Sequence, residues 1–483
     1  MERRTKVTVH PPDSRGLRRV SIAGETVGSA WSLRELRRIL RRYGFPDHVD
    51  LDDRSRVYWQ GGGSDVWPDR TPARRATIGL LVAGLVGGWI LLTVIGKTDA
   101  FDALTFAGRI TGFVFLLGGV TEAAAAVAAM DYWGKRSLRI SGTIVLLGVV
   151  IALTVSTILV FLWLEEMEFT PYMLAVFPLF GWSLWALSVM VRNKVWRGTP
   201  HPTKIAAGVT ATALLAAVNL AYSSVYQPTA APANLSFKVR FGTPRADPER
   251  PVVHVPLSLQ LENTGSVPVY ILVDNWAVYG RTARFFEKST EFRDRRQELG
   301  RAESDLARNV GSVEWVALAV GPFSGPGTWY EPGESYSEEK VVEVARNAKF
   351  DMLDADLDAM VMRKDRGRID LDEFSTGWFS WEKESRFYCP PKDCDDLLIH
   401  NAQVTYNNNL VNITRKPRYV TAWWGASPTD SNWNAFVSTY KGKGYIGDPA
   451  SDEDAATESD RFDLFSVTGD AVIPFAAVVN PRP

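Results

Sequence analysis

The sequence predicts a multi-pass α-helical membrane protein of five spans, preceded by a small cytoplasmic α/β domain and followed by an extracytoplasmic mainly-β sandwich, immunoglobulin-like in general character. Three observations predict it. Five long apolar stretches fill the first half of the chain, and the polar loops between them alternate between basic and acidic. Beyond the fifth stretch the apolar period changes from that of a helix to that of a strand. The expected domains are 1–70, 71–226 and 227–483.

In the head, Lys6–His10, Arg19–Ala23 and Val49–Gln60 are strand candidates. One helix lies among them. Ser32 followed by Glu35 makes a capping box, Leu33, Leu36, Ile39, Leu40 and Tyr43 share a face, and Gly44 is a natural stop. The opposite face is Arg34, Arg37, Arg38, Arg41 and Arg42. These arginines suit solvent or contact with an anionic inner leaflet. A nucleic-acid role has no recognition-helix signature behind it. The expectation is a β-β-α-β docking module for a cytoplasmic protein partner, joined to the membrane by Gly61–Gly63.

A helix crosses a hydrocarbon core with roughly 20 apolar residues. The stretches 76–95, 110–130, 140–164, 172–191 and 205–225 meet that length. Arg70, Arg74 and Arg75 precede the first. Lys135, Arg136 and Arg139 separate the second and third, and Arg192, Lys194, Arg197 and Lys204 separate the fourth and fifth. The remaining loops hold Asp99 and Asp102, and Glu165, Glu166 and Glu168. The positive-inside bias then puts the N-terminus in the cytoplasm and the C-terminal domain outside. Position 75 is too far along for a secretory signal peptide.

Within the spans, Gly84-xxx-Gly88 and Gly108-xxx-Gly112 suggest close helix contacts. Glu122 is the carboxylate set deepest in a span, and Asn219 is the other notable polar group. Both are expected as polar anchors inside the membrane. A proton or cation relay through Glu122 is the alternative, and it wants more converging polar groups than these spans offer. Five unequal segments show no inverted repeat of the transporter kind.

From Val253 the outer domain alternates: Val253, Val255, Leu257, Leu259 and Leu261 point one way, His254, Pro256, Ser258, Gln260 and Glu262 the other. Pro256 suggests an edge strand or a bulge. Asn263-Thr264-Gly265 supplies a turn, and Val267, Val269, Ile271 and Val273 resume the pattern. Further strands are expected at 313–320, 336–345, 357–363, 402–406, 419–424, 462–467 and 472–479, with a helical insertion near 284–308. Cys389 and Cys394, across a Pro-rich loop, suit a disulfide in an oxidising compartment.

Several motif-like features carry no chemistry. Gly442-Lys443-Gly444-Tyr445-Ile446-Gly447 spells a dinucleotide fingerprint but is followed by Asp448-Pro449, where that motif needs a helix. The acidic run 448–460 lacks EF-hand spacing and reads as a solvated loop. His254 and His400 have no metal-ligand spacing, and no nucleophile elbow occurs. Trp378, Trp381, Trp423 and Trp424 could form an aromatic contact surface or serve as core.

Net charge is −1, but bases outnumber acids before position 75 and acids outnumber bases after 226. That asymmetry suits an anionic inner leaflet on one side. The function expected is a membrane-anchored interaction or sensing protein of the plasma membrane, bacterial in kind. It contacts the lipid bilayer, a protein partner or envelope component outside, a cytoplasmic partner inside and, as an oligomer, further copies of itself. No cofactor, metal or catalytic residue is expected. The alternatives are a cell-envelope enzyme with an unfamiliar outer site, and a channel or transporter component using Glu122.

Overall fold

A computed structural model describes residues 6–12, 16–46, 49–53, 55–65, 67, 71–104, 106–134, 140–193, 195, 232–285, 310–382, 396–425, 432–439 and 453–480. The fifth expected span with Asn219, the Cys389–Cys394 loop, the glycine motif at 442–447 and most of the insertion near 284–308 lie outside these residues. The chain divides into two units. One holds Met1–Asp102, Arg109–Asn219 and Asn409–Arg415; the other holds Ala103–Gly108, Leu220–Asn408 and Lys416–Pro483.

The first unit begins with a four-stranded sheet: β1 (Val7–Pro12), β2 (Arg18–Ile22), β3 (Glu25–Ala30) and β4 (Val57–Trp59) in the order β3-β2-β1-β4. β1 and β4 are parallel, so a crossover must join them, and α1 (Leu33–Arg42) lies in it. Strand β3 is absent from the sequence reading. Its residues show little apolar alternation, and only Ala30 is buried. It forms because Ala23 (φ 52°) and Gly24 (φ 90°) make a tight two-residue hairpin after β2.

Helix α1 starts as its capping box dictates. Glu35 N donates to Ser32 Oγ at 3.4 Å, and Trp31 N donates to Glu35 Oε2 at 3.1 Å. Leu36 and Leu40 pack on Val7, Val9, Val20 and Val57. Tyr43, expected on that apolar face, is exposed. Arg34, Arg37, Arg38, Arg41 and Arg42 are exposed as well.

Four helices follow: α2 (Thr71–Asp102), α3 (Phe106–Trp133), α4 (Ser141–Glu166) and α5 (Met173–Arg192). Each is long and apolar enough to cross a membrane. Leu81, Leu85, Ala125, Ala129, Val145, Val149, Ala186 and Met190 form their common core. Outward-facing Leu80, Ile90, Phe113, Leu117, Phe161 and Leu174 suit lipid. Small residues set the α2–α3 approach: a Cβ on Gly112 would stand 2.1 Å from the Ala100 backbone nitrogen.

The second unit is built of antiparallel strands in three sheets. The first contains β5 (Leu235–Phe241), β6 (Arg245–Ala246), β7 (Val252–Asn263) and β11 (Ser335–Ala345). The second contains β8 (Val269–Phe285), β9 (Val310–Gly321), β10 (Trp329–Tyr330), β12 (Met352–Arg363) and β18 (Leu464–Pro474). The third contains β13 (Gly367–Ile369), β14 (Trp378–Phe379), β15 (Leu397–Tyr406), β16 (Arg418–Gly425) and β17 (Trp433–Ser438).

The first two sheets share one core, in which Val253, Val255, Leu257, Leu259 and Leu261 meet Val278, Leu353 and Leu357. The other face of β8 enters a second core with the third sheet, through Tyr270, Leu272, Met362, Val404, Val420 and Ala422. β8 serves both because successive side chains point to opposite faces of a strand; its register with β12 slips between Met360 and Val361.

Three expectations about this unit change. β7 is a central strand between β11 and β5, yet it contains Pro256. The proline fits because Pro256 O accepts from Gly242 N, so its missing N–H points to the gap between β5 and β6. The acidic run is not a loop where it is described: 453–461 is a helix with Ala455 and Glu458 buried. The two last expected strands are one, β18, and the chain ends in a short helix at Phe475–Val479.

Candidate functional site

The membrane block gathers polar groups at three levels. At one end of the helices, Trp31 of the head donates its Nε1 to Gly134 O at 3.3 Å, and the Arg74 guanidinium lies 3.9 Å from the Trp31 ring centre. Tyr132 and Val195 both lie against Gly142 at the same end. The loops there are the basic ones.

At the opposite end sits a short helix from far along the chain. Four helical stretches follow α5 in the described residues: α6 (Leu371–Phe374), α7 (Asn409–Thr414), α8 (Glu453–Arg461) and α9 (Phe475–Val479). α7 is the connection between β15 and β16, and it belongs to the unit of the membrane helices. Its first amide, Asn409 N, donates to Asp99 Oδ1 at 3.0 Å. Its end is held by Thr170, whose Oγ1 donates to Ile413 O at 2.6 Å. Arg415 then pairs with Glu165 at 3.0 Å and Glu166 at 3.8 Å.

The buried Thr170 bond contributes about 1 kcal/mol, and the charge-assisted Asp99 bond roughly 1.5–3 kcal/mol. The acids that mark this end by charge thus have a second use as anchors for α7. Sequence reasoning missed Asn409, Arg415 and Thr170. They are ordinary loop residues locally, and their partners are more than 240 positions away.

Between the two ends lies Glu122. It has no solvent exposure, and neither carboxyl oxygen has a hydrogen-bond partner. Glycines on the facing helices make room for it. A Cβ on Gly88 of α2 would stand 2.0 Å from Glu122 Oε2, and one on Gly148 of α4 would stand 3.8 Å from Glu122 Cα. Leu85 and Ala125 line the same crossing. Side-chain hydroxyls buried elsewhere in the bundle turn inward on their own helices: Ser156 donates to Ala152 O at 2.6 Å and Ser183 to Phe180 O at 2.7 Å.

The β unit has two polar features worth comparing. On the face of β12 that sends Met360 and Met362 into a core, the strand continues as Asp358, Asp356 and Asp354. Asp470 of β18 stands opposite Asp356. Burial and the neighbouring acids push Asp356 up to about 6. Among the described residues no group of three or more His, Cys, Asp or Glu side chains is arranged to hold a metal ion. The second feature is a partly buried cluster at the sheet surface: His254 Nε2 meets Asp247 Oδ2 at 3.1 Å, and Arg250 reaches both Asp247 and Glu343. The Glu249 amide, with His254 and Arg250, holds Asp247 well below the usual carboxylate range.

The tryptophans read as either a contact surface or core are divided by strand register. Trp378, Ile399 and Trp423 form one cross-strand row; Phe379, Leu398, Trp424 and Trp433 form the next, on the other face. Trp424 donates Nε1 to Asp274 O at 2.9 Å and meets the His400 ring edge-on at 5.3 Å. Trp381 remains 51% exposed and lies 4.8 Å from Phe379. His400 itself is buried, with Nδ1 2.7 Å from Phe374 O, and burial lowers its basicity.

No family model matches the chain, and no curated protein matches it. Solved structures show partial likeness. A Bordetella pertussis protein designated ApaA is 13% identical over 28% of this chain and 81% of its own, with a TM-score of 0.16. Spo0M, a sporulation control protein from Bacillus subtilis, is 6% identical over 49% of this chain and 90% of its own, with a TM-score of 0.17. At such scores neither likeness bears on what this chain does.

Proposed function

We propose that the chain is a membrane-anchored sensing or interaction protein of a bacterial plasma membrane. In this reading an extracytoplasmic β domain, an immunoglobulin-like sandwich in character, contacts a protein or envelope component. The cytoplasmic α/β head docks a partner inside. The observation that carries it is the seat of α7: a connection between two strands is held by Asp99, Thr170, Glu165 and Glu166 on the membrane block. A ligand that shifts β15 or β16 would pull on that seat, and the helices end on the head at Trp31, Arg74 and Gly134.

The same seat supports five spans. The head and Val195 lie at one end of the helices, and α7 lies at the other. In this reading the chain crosses once more before Asn409, and 205–225 is the apolar stretch proposed for that crossing. Positive-inside bias places the head in the cytoplasm.

The test uses the full-length protein in lipid nanodiscs. Thr170→Val combined with Arg415→Ala should loosen α7 and change hydrogen exchange at Trp31 and along the first turns of α2. Unchanged exchange there would sink the sensing reading. In oriented vesicles, proteolysis within 396–425 from the side that also cleaves the head would overturn the topology.

A further inference from the structure

We infer that the Glu122 carboxyl is a proton-binding site at the crossing of α2, α3 and α4, and that its occupancy sets how closely α2 and α4 approach. This stands apart from the sensing proposal and uses none of the residues that seat α7. Its basis is geometric. Glu122 is fully buried, both oxygens are without partners, and Gly88 presents bare backbone where any side chain would strike the carboxyl. A polar side chain retained inside a bundle as structural glue bonds to a neighbouring helix. This one does not.

The choice of ligand follows from what surrounds it. Gly88 of α2 lies against the carboxyl itself, and Gly148 of α4 lies near Glu122 Cα with Leu85 and Ala125 packed beside it. Among the described residues no hydrogen bond or ion pair reaches either oxygen of its carboxyl. A hard cation such as Ca²⁺ takes about 6–8 oxygen ligands, and this lining adds no side-chain oxygen to the carboxyl's own. A proton needs one oxygen. With the proton bound, the group is neutral and the helices close over it on their glycines. Without it, a bare charge in the bundle draws in water or separates α2 from α4.

The experiment is infrared difference spectroscopy of the full-length protein in liposomes through a pH titration, paired with hydrogen exchange. The expected result is a carboxylic-acid C=O band that shifts on ¹³C-glutamate labelling, is absent from Glu122→Gln and disappears as pH rises. Protection of the amides flanking Gly88 and Gly148 should fall together with that band in the natural protein and stay constant in Glu122→Gln. Isotope labelling identifies the band without mutation, so the result does not depend on the variant folding. The proposal is overturned if no glutamate acid band titrates beyond those of exposed side chains. It is equally overturned if exchange at these amides follows the same pH course in both proteins.

Discussion

Asp274 and Glu122 are both carboxyl side chains without solvent exposure, one in the β unit and one in the helix bundle. Asp274 accepts from the backbone amides of Phe323, Ser324 and Gly325, at 2.6–3.4 Å. Glu122 accepts from nothing. The difference comes from the backbones around them. A loop after a strand has amides to spare, and the 322–328 turn directs three of them at one acid. In the middle of an α-helix every amide is already committed to the carbonyl four residues back, so neighbouring helices have no backbone donor to offer. Among the described residues, the β unit meets Asp274 with three backbone donors while the bundle leaves Glu122 open, and that is why Glu122 is the candidate for a ligand.

The largest effect tests whether the β unit depends on such pairing. Arg418 and Glu458 are both buried and lie 2.9 Å apart, with Arg461 on the same carboxylate. Arg418→Met should destabilise the protein by roughly 4 kcal/mol, since it leaves a buried acid without its main partner. Adding Glu458→Leu should recover most of that in thermal unfolding. Next comes Asp274→Ala, which strands three amides at once and should cost about 3 kcal/mol. It should also raise hydrogen exchange at 323–325 before the rest of the unit responds; uniform exchange would mean that the loop holds without its acid.

A smaller effect separates acids that are satisfied from acids that are crowded. Asp356 is raised from 3.8 to about 6 by burial and by Asp354, Asp358 and Asp470. The folded state therefore binds this proton more tightly than the unfolded state does, and stability falls as pH rises from about 4 through 6. Asp356→Asn should stabilise by about 1 kcal/mol above pH 6, allowing for partial solvent screening. The gain should vanish near pH 4 in melting curves. A gain that persists there would assign the effect to packing.

Arg415→Ala should cost less than about 1 kcal/mol, because Glu165 is largely exposed. Its signature should be local, as faster exchange in 409–415. Glu122→Gln is expected to move stability least, since no hydrogen bond is lost. A loss as large as that of Asp274→Ala would erase the contrast between the two regions.

Much of this was readable in one dimension because it depends on near neighbours. Ser32, Glu35 and Gly44 set the ends of α1 within one helix's length. The alternation from Val253 to Leu261 follows from the two-residue period of a strand and predicts its buried face. Pro256 shows where that reasoning ends. Local rules move a proline to a sheet edge, but the break between β5 and β6 that admits it here is a matter of how another strand lies. The helix at 453–461 was hidden for a similar reason. Its sequence is acidic and weakly apolar, and Glu458 belongs indoors only because Arg418 meets it there.

By itself the sequence determined the candidate spans, the head's helix and the β character of the C-terminal region, since length, apolar period and charge are properties of contiguous residues. Tertiary structure alone decided which polar groups matter. It turned Asp99, Glu165 and Glu166 from charge markers into the seat of α7, divided Trp423 from Trp424 by face, and left Glu122 against Gly88 without a partner. The physical reason is that a hydrogen bond or an ion pair is a fact about distance in space, and a partner hundreds of residues away leaves no mark on the local pattern.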